Sequence, residues 1–502
     1  MKRRAFISVY DKVGLIDFAQ NLVEKFDYEI VAGGDTYDFL SSAGVEVINC
    51  SEFSNSLGLL PKDFCALNET VFAGILANGS DTKELSQAEK NIIKPFDMVV
   101  VNLCPFEKIV FENNENPDNI FSNIDIVGCA LLRAAAKNYK NVTVITDKVD
   151  YYVALNANDF GRLKLAAKAY NITSNYDRLV CGKMTEQTGE KAFKTFNFEK
   201  IKDLAYGENP HQRASVYKTD NMVDYEVINE KELSFNNIIN ANVALNIVSE
   251  FFDVNCVAII RHGKPCGVAL GRSLYDAYTN AFDCDPISSF YGVVGFSKTV
   301  NAEVAKHLNS MSVEVVIAPD YDEEAIQIFK DNVEIKLIKI NTSLKEYRKM
   351  SVEEVLLTPF GALVQDRNSS ELNKEMFKVV TREKPTPEQI EDAVFAWKVV
   401  KYAKTNSTVI ARNFKTSAIA QGHANNISSV EWALNYSCDN TKGAVLATDA
   451  VITSEDCIHS AVQSRIDLII QPGGSVKDQT IIDECNKYGI AMITTGIRNY
   501  KQ

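Results

Sequence analysis

The chain is poor in the residues that build metal and disulfide centres. Five histidines are spread over 502 residues, and the eleven cysteines are scattered, odd in number and nowhere spaced Cys-x-x-Cys. That usage argues against a disulfide framework or a structural zinc site and fits a reducing, cytoplasmic setting. No uninterrupted apolar run approaches the roughly 20 residues that a membrane helix needs. The basic N-terminus, Lys2-Arg3-Arg4, leads into a short apolar run that stops at Asp11-Lys12, too early for a signal peptide. There is no dense Lys/Arg stripe, and the net charge is −13. Nucleic acid, whose backbone demands many phosphate contacts, is therefore disfavoured as a partner. A small anionic ligand remains compatible, because a local site acts against the global charge.

What is present reads as a soluble α/β protein. Hydrophobic residues make up 46% and charged residues 24%, a globular balance, and 502 residues exceed what one core organises. Apolar runs at 5–9, 28–32, 45–48, 98–103 and 142–145 predict strands. Leu15, Ile16, Phe18, Ala19, Leu22, Val23 and Phe26 recur at helical spacing, and an Ala-rich helix covers 131–137. This alternation ends near Phe196. A polar connector, 197–203, and the turn-rich Tyr206-Gly207-Glu208-Asn209-Pro210-His211-Gln212 then read as a domain entry. The second half is α/β again, with strands at 256–260, 313–318, 407–411, 468–471 and 490–494, helices at 241–252 and 391–404, and an exposed charged stretch at 345–354. Domains are expected over 1–196 and 197–502, with a break inside the second near 366–388.

The stretch Ile260-Arg261-His262-Gly263-Lys264-Pro265-Cys266-Gly267 carries the chemistry most readily. His262 follows a strand, and ligands gather beyond the C-terminal ends of strands in α/β proteins. Pro-Cys-Gly is expected to close off regular structure. A zinc-deaminase reading of Pro265-Cys266 fails, since position 269 is Ala269 and the second cysteine ligand is missing. Gly33-Gly34 lies between a strand and a helix, where backbone N–H groups approach phosphates, but such glycines equally make plain turns. Asp35 would repel an anion and suits a helix N-cap. Lys12, Asp125 and Lys137 are individually ordinary, and Trp397 and Trp432 are expected in the core.

Together these motifs resemble the bifunctional AICAR transformylase/IMP cyclohydrolase family of purine biosynthesis, almost end to end. The pieces that carry the resemblance are Ile7-Ser8-Val9 with Asp11-Lys12, Val101-Asn102-Leu103 with Pro105-Phe106, Asn123-Ile124-Asp125-Ile126, 132–138, 206–212, Asn236-Asn237-Ile238, Cys284-Asp285-Pro286, 395–401 and 471–475. The resemblance implies a methylglyoxal-synthase-like parallel α/β sandwich followed by two cytidine-deaminase-like α/β units without zinc. It implies a homodimer with transformylase sites at the subunit interface. It also implies formyl transfer from 10-formyltetrahydrofolate to AICAR, followed by ring closure of formyl-AICAR to IMP, with no metal required.

Set against the family, His262 with Arg261 in place of lysine, Asn406 and Lys137 stand as catalytic candidates. Tyr206, Asn209, Asn236, Arg498, Lys12, Gly33, Gly34 and Asp125 stand as substrate-binding ones. The departures fall mostly elsewhere. The family's cyclohydrolase segment Arg-Val-Lys-Thr-Leu-His-Pro-Lys-Val-His-Gly-Gly has become Asp63-Phe64-Cys65-Ala66-Leu67-Asn68-Glu69-Thr70-Val71-Phe72-Ala73-Gly74, without its cations. Its phosphate turn Ser-Thr-Gly-Gly-Thr is Val31-Ala32-Gly33-Gly34-Asp35, and Cys104 replaces a tyrosine. Loss of cyclohydrolase activity follows. On the transformylase side Lys264 replaces an asparagine, Ala205 an arginine and Tyr291 a glycine. The pterin contacts Phe-Phe-Pro-Phe have become Val451-Ile452-Thr453-Ser454, which puts the folate donor in question. The expected activity is formyl transfer to an aminoimidazole carboxamide nucleotide. The alternative is an impaired paralogue that binds nucleotide or forms a heterodimer with an intact homologue.

Overall fold

The computed structural model describes residues 2–55, 62–77, 95–112, 117–189, 193–196, 198–219, 221–330, 332, 334–372 and 376–502. It divides into two compact units, Met1–Asn197 and Phe198–Gln502.

The first unit is built on strands β1 (Arg3–Val9), β2 (Tyr28–Ala32), β3 (Ile48–Asn49), β4 (Met98–Asn102) and β5 (Thr143–Ile145). They pair in parallel in the order β3-β2-β1-β4-β5. Successive strand residues face opposite sides of a sheet, and both sides are covered, so the strands read as unbroken apolar runs. Phe6, Val31, Val99 and Val101 enter one core, while Ala5, Ile7, Ile30 and Val100 enter the other. The apolar stretch 118–137 forms two helices, Pro117–Ser122 and Ile126–Lys137. The second packs Val127, Leu131 and Leu132 into the core. The strand expected over 45–48 forms only at Ile48–Asn49, because Val45 caps the preceding helix, its amide bonded to Leu40.

The second unit repeats one pattern twice. Helix Phe235–Ser249 precedes a hairpin of Cys256–Arg261 and Lys264–Leu270. Helix Leu274–Phe282 and strands Gly292–Phe296, Val313–Ala318 and Lys336–Ile340 follow, with two further helices between the strands. Then helix Pro387–Val400 precedes the hairpin Thr408–Arg412 and Lys415–Ala420, followed by helix Asn426–Ser437 and strands Val445–Thr448, Leu468–Gln471 and Ala491–Thr494. In each half the hairpin is antiparallel, the next three strands run parallel to each other, and a short antiparallel strand closes the outer edge. The halves meet where Ala269 pairs with Lys415, giving a twelve-stranded sheet among the described residues. At this seam the buried Thr416 hydroxyl accepts from Val268 N at 3.0 Å and donates to Val268 O at 3.1 Å.

The two equivalent helices are tied at their C-terminal ends. Glu250 Oε1 accepts from Lys401 Nζ at 3.0 Å and from the Tyr402 hydroxyl at 2.6 Å, and Arg348 approaches Oε2 at 2.5 Å.

Three further sequence expectations are corrected. The strand at Lys264–Leu270 runs through Pro265-Cys266-Gly267 instead of ending there. A register shift between Pro265 and Gly267 accommodates the proline, which has no N–H to donate. The connector at 197–203 is largely a strand, Glu199–Leu204, paired with Ala214–Lys218, while residue 197 lies outside the described residues. The stretch at 345–354 is not simply exposed. Helix Leu344–Lys349 buries Leu344 and Tyr347 and turns Arg348 inward to Glu250, while Lys345, Glu346 and Lys349 are exposed.

Candidate functional site

The transformylase-like stretch forms the tip of the first hairpin. A two-residue hairpin turn of type I′, one of the two that match strand twist, needs positive φ at both central positions. His262 (φ 51°) and Gly263 (φ 70°) supply them, and Asn413 (φ 52°) and Phe414 (φ 55°) do so in the second hairpin. Holding a non-glycine residue left-handed costs about 1–2 kcal/mol, so the surroundings must fix His262 in place. Asn240 Oδ1 does this by accepting from Gly263 N at 2.6 Å, and Gln421 Nε2 donates to Pro265 O at 2.9 Å. Gly267 lets the strand press against helix Leu274–Phe282. A Cβ there would lie 1.9 Å from Ala281 O.

His262 opens onto a cavity of about 320 Å³ walled by Arg261, Lys264, Cys266, Asp285, Gln421, His423, Trp432 and Tyr436 among others. Arg261 is fixed by donation from Nη1 to Tyr291 O, and Tyr291 itself adopts φ 50°. Burial pushes the Cys266 thiol up to about 12, with the Asp285 carboxylate adding to it, so this sulfur stays protonated and is no nucleophile at neutral pH. Asn406 stands behind the wall. Its Nδ2 donates to His423 O at 2.9 Å, while Asp449 accepts from the backbone N–H of Asn406 at 3.1 Å and of Ser407 at 2.7 Å.

The nucleotide-side candidates gather around helix Phe235–Ser249. Asn236 Nδ2 donates to Glu208 O at 3.3 Å, which ties the Tyr206–Gln212 turn to the first turn of that helix. Asn209 is held within the turn, its N and Nδ2 both donating to Gln212 Oε1 at 2.9 Å. Asn240 is four residues beyond Asn236, on the same helix face, so one face carries both the turn and the His262 tip. Tyr206 and Asn209 are exposed and do not wall the His262 cavity. Neither does Arg498, whose guanidinium lies 4.1 Å from the Tyr500 ring centroid.

In the first unit a cavity of about 300 Å³ opens at the C-terminal ends of β1 and β4, where the strand order reverses. Lys12, Gly33, Asp35, Cys104 and Asp125 help to wall it. Gly34 begins the helix Gly34–Ser42, whose N-cap is Gly33. Asp35 is therefore a first-turn residue and not the cap. Gly33 is required by close packing, since a Cβ would lie 2.8 Å from Cys65 Sγ. The Thr36 hydroxyl is taken up by Val9, accepting from its N at 3.0 Å and donating to its O at 3.2 Å. Asp125 Oδ1 caps helix Ile126–Lys137 by accepting from Gly128 N at 2.7 Å. Lys137 sits at the other end of that helix, about 18 Å away at 1.5 Å per residue. The structure thus joins Lys12, Gly33 and Asp125 and sets Lys137 apart from them.

Sequence reasoning missed Asn240, Gln421, Asp449 and the placement of Trp432, which is 41% exposed in the cavity wall while Trp397 is 3% exposed in the core. A signal for Trp432 was available. It stands four residues before Tyr436, off the face that Val430, Ala433 and Leu434 bury.

Comparison with known proteins covers the whole chain. The family described as AICARFT/IMPCHase bienzyme matches residues 135–436, and the MGS-like domain matches residues 14–130. The bifunctional purine biosynthesis protein PurH of Acetivibrio thermocellus is 39% identical over 516 residues, covering all of both chains. That of Caldicellulosiruptor saccharolyticus is 38% identical over 518 residues, again covering all of both. A crystal structure of ForH is 29% identical, covering 37% of this chain and 100% of that one, with a TM-score of 0.32.

Proposed function

The chain belongs to the AICARFT/IMPCHase bienzyme family of purine biosynthesis, and from that premise we propose that it transfers a formyl group to the amine of an aminoimidazole carboxamide nucleotide and has lost the ring-closing activity. The observation that carries this reading is a contrast in lining charge. The second-unit cavity sets Arg261, Lys264 and two histidines against Asp285. In the first-unit cavity Lys12 is the one cation among the described lining residues, against Asp35 and Asp125. A nucleotide phosphate is held by charge-assisted hydrogen bonds worth about 1.5–3 kcal/mol each, and a wall with two carboxylates and one ammonium opposes it.

In the proposed reaction His262 takes the proton that the attacking amine sheds as its nitrogen bonds to the formyl carbon. Arg261 does not exchange protons at working pH. Its bond to Tyr291 O fixes the guanidinium at the tip, where it stabilises negative charge developing on the formyl oxygen. Collapse of the adduct returns the proton to the departing donor nitrogen. By family likeness the donor is 10-formyltetrahydrofolate and the working form a homodimer.

The test is formyl-AICAR production by the purified chain. His262→Ala should lower the rate about 10²- to 10⁴-fold, and Arg261→Lys should keep it within about tenfold, since the cationic donor remains. A His262→Ala protein with more than a tenth of the parent rate sinks the assignment.

A further inference from the structure

We propose that Trp432 and Tyr436 form a stacking shelf for a fused two-ring heterocycle with a flat pyrimidine ring, on a ligand that carries negative charge, bound facing His262. This builds on the formyl-transfer reading and names a specificity-determining element that the family-derived candidates do not include. The two rings stand one turn apart on helix Asn426–Ser437. Their planes lie within 10° and their centroids 4.7 Å apart. Trp432 is 41% and Tyr436 39% exposed, although the same helix has a buried face that takes Val430, Ala433 and Leu434. Large aromatics left open on a cavity wall give up burial that the core would have supplied.

The shelf shares its cavity with both halves of the unit. Asp285, which comes from the first half and accepts from Ser288 N at 2.9 Å, walls the same cavity as Tyr436. His423 stands 6.3 Å from the indole, its backbone carbonyl pinned by Asn406. Arg261 and Lys264 supply the cations of the same cavity. An indole backed by a phenol offers a face matched to two fused rings better than to a lone imidazole, and the cations call for an anionic tail or phosphate. The tetrahydropteridine of a folate donor, flat over its pyrimidinone ring, and the purine of a nucleotide share this chemistry.

Trp397 and Trp432 are the two tryptophans of the chain, so in a Trp397→Phe background the indole emission reports on the shelf alone. The full-length protein is titrated with 5-formyltetrahydrofolate, IMP and AICAR. Affinities are measured in parallel by calorimetry on the otherwise unaltered chain, which serves also if Trp397→Phe fails to fold. We expect at least one of the two bicyclic ligands to quench Trp432. Trp432→Leu should weaken that ligand about 5- to 150-fold, and Trp432→Phe should recover most of the loss. Quenching by the folate identifies the donor ring as the occupant, and quenching by IMP alone identifies a purine. If neither bicyclic ligand quenches, or if Trp432→Leu binds them as the parent does, the shelf is refuted. Unchanged binding with formyl transfer intact refutes the shelf alone, whereas quenching without transfer refutes the catalytic reading and leaves the shelf.

Discussion

Glu250→Gln is the perturbation with the largest consequence for the second unit. The side chain of Glu250 is 3% exposed, that of Lys401 5% and that of Arg348 15%, so all three charges are largely out of water. The substitution keeps the shape and removes the only carboxylate paired with Lys401 among the described residues. Arg348 retains just Glu371, at 3.4 Å and itself 81% exposed. Uncovering buried cations in this way costs about 3–5 kcal/mol, two to three and a half powers of ten in the unfolding constant. Urea unfolding followed by indole emission reads it, since both tryptophans lie in the second unit and Trp397 is one turn from Lys401. Burial works against the Glu250 carboxylate, but Lys401, Arg348 and Tyr402 outweigh it and hold its pKa below the ordinary 4.5. A carboxyl depressed in the folded state contributes stability above pH 4.5 that is lost as pH falls through its folded value. The parent and variant curves should therefore converge in acid. Burial pushes the Lys401 ammonium down against the pull of Glu250, and Arg348 and Arg367 add to the fall. A loss under about 1 kcal/mol at pH 7, in the range of exposed pairs, would show that the cluster does not lock the two halves.

Two further substitutions test the packing around the sites. Gly33→Ala places a methyl 2.8 Å from Cys65 Sγ and 3.3 Å from Cys50 Cβ, and it should destabilise the first unit by about 1–3 kcal/mol in a hydrogen-exchange measurement. Asn240→Ala leaves Gly263 N without its 2.6 Å acceptor. We expect the exchange of that amide to accelerate and formyl transfer to fall about 10- to 100-fold through misplacement of His262.

The sequence carried the fold well where burial is two-sided. Met98-Val99-Val100-Val101 can be little else than a strand covered on both faces. It was less legible where a residue's meaning depends on a distant partner. Pro265 looked like a terminator until the register shift beside Gly267 explained it. Asp125 and Lys137 invite joint assignment from their residue types, yet a helix of twelve residues keeps them apart. Trp432 reads as core by composition, and only its face of the helix moves it into the cavity. Asn240 and Asp449 act on backbone amides at hairpin and strand ends, contacts that local patterning does not encode.

The most direct measurement is the product distribution when the purified chain is given AICAR and 10-formyltetrahydrofolate. Formyl-AICAR should accumulate without conversion to IMP, and its formation should vanish in His262→Ala. IMP appearing as fast as the donor is consumed would contradict the account, as would the absence of any formyl-AICAR.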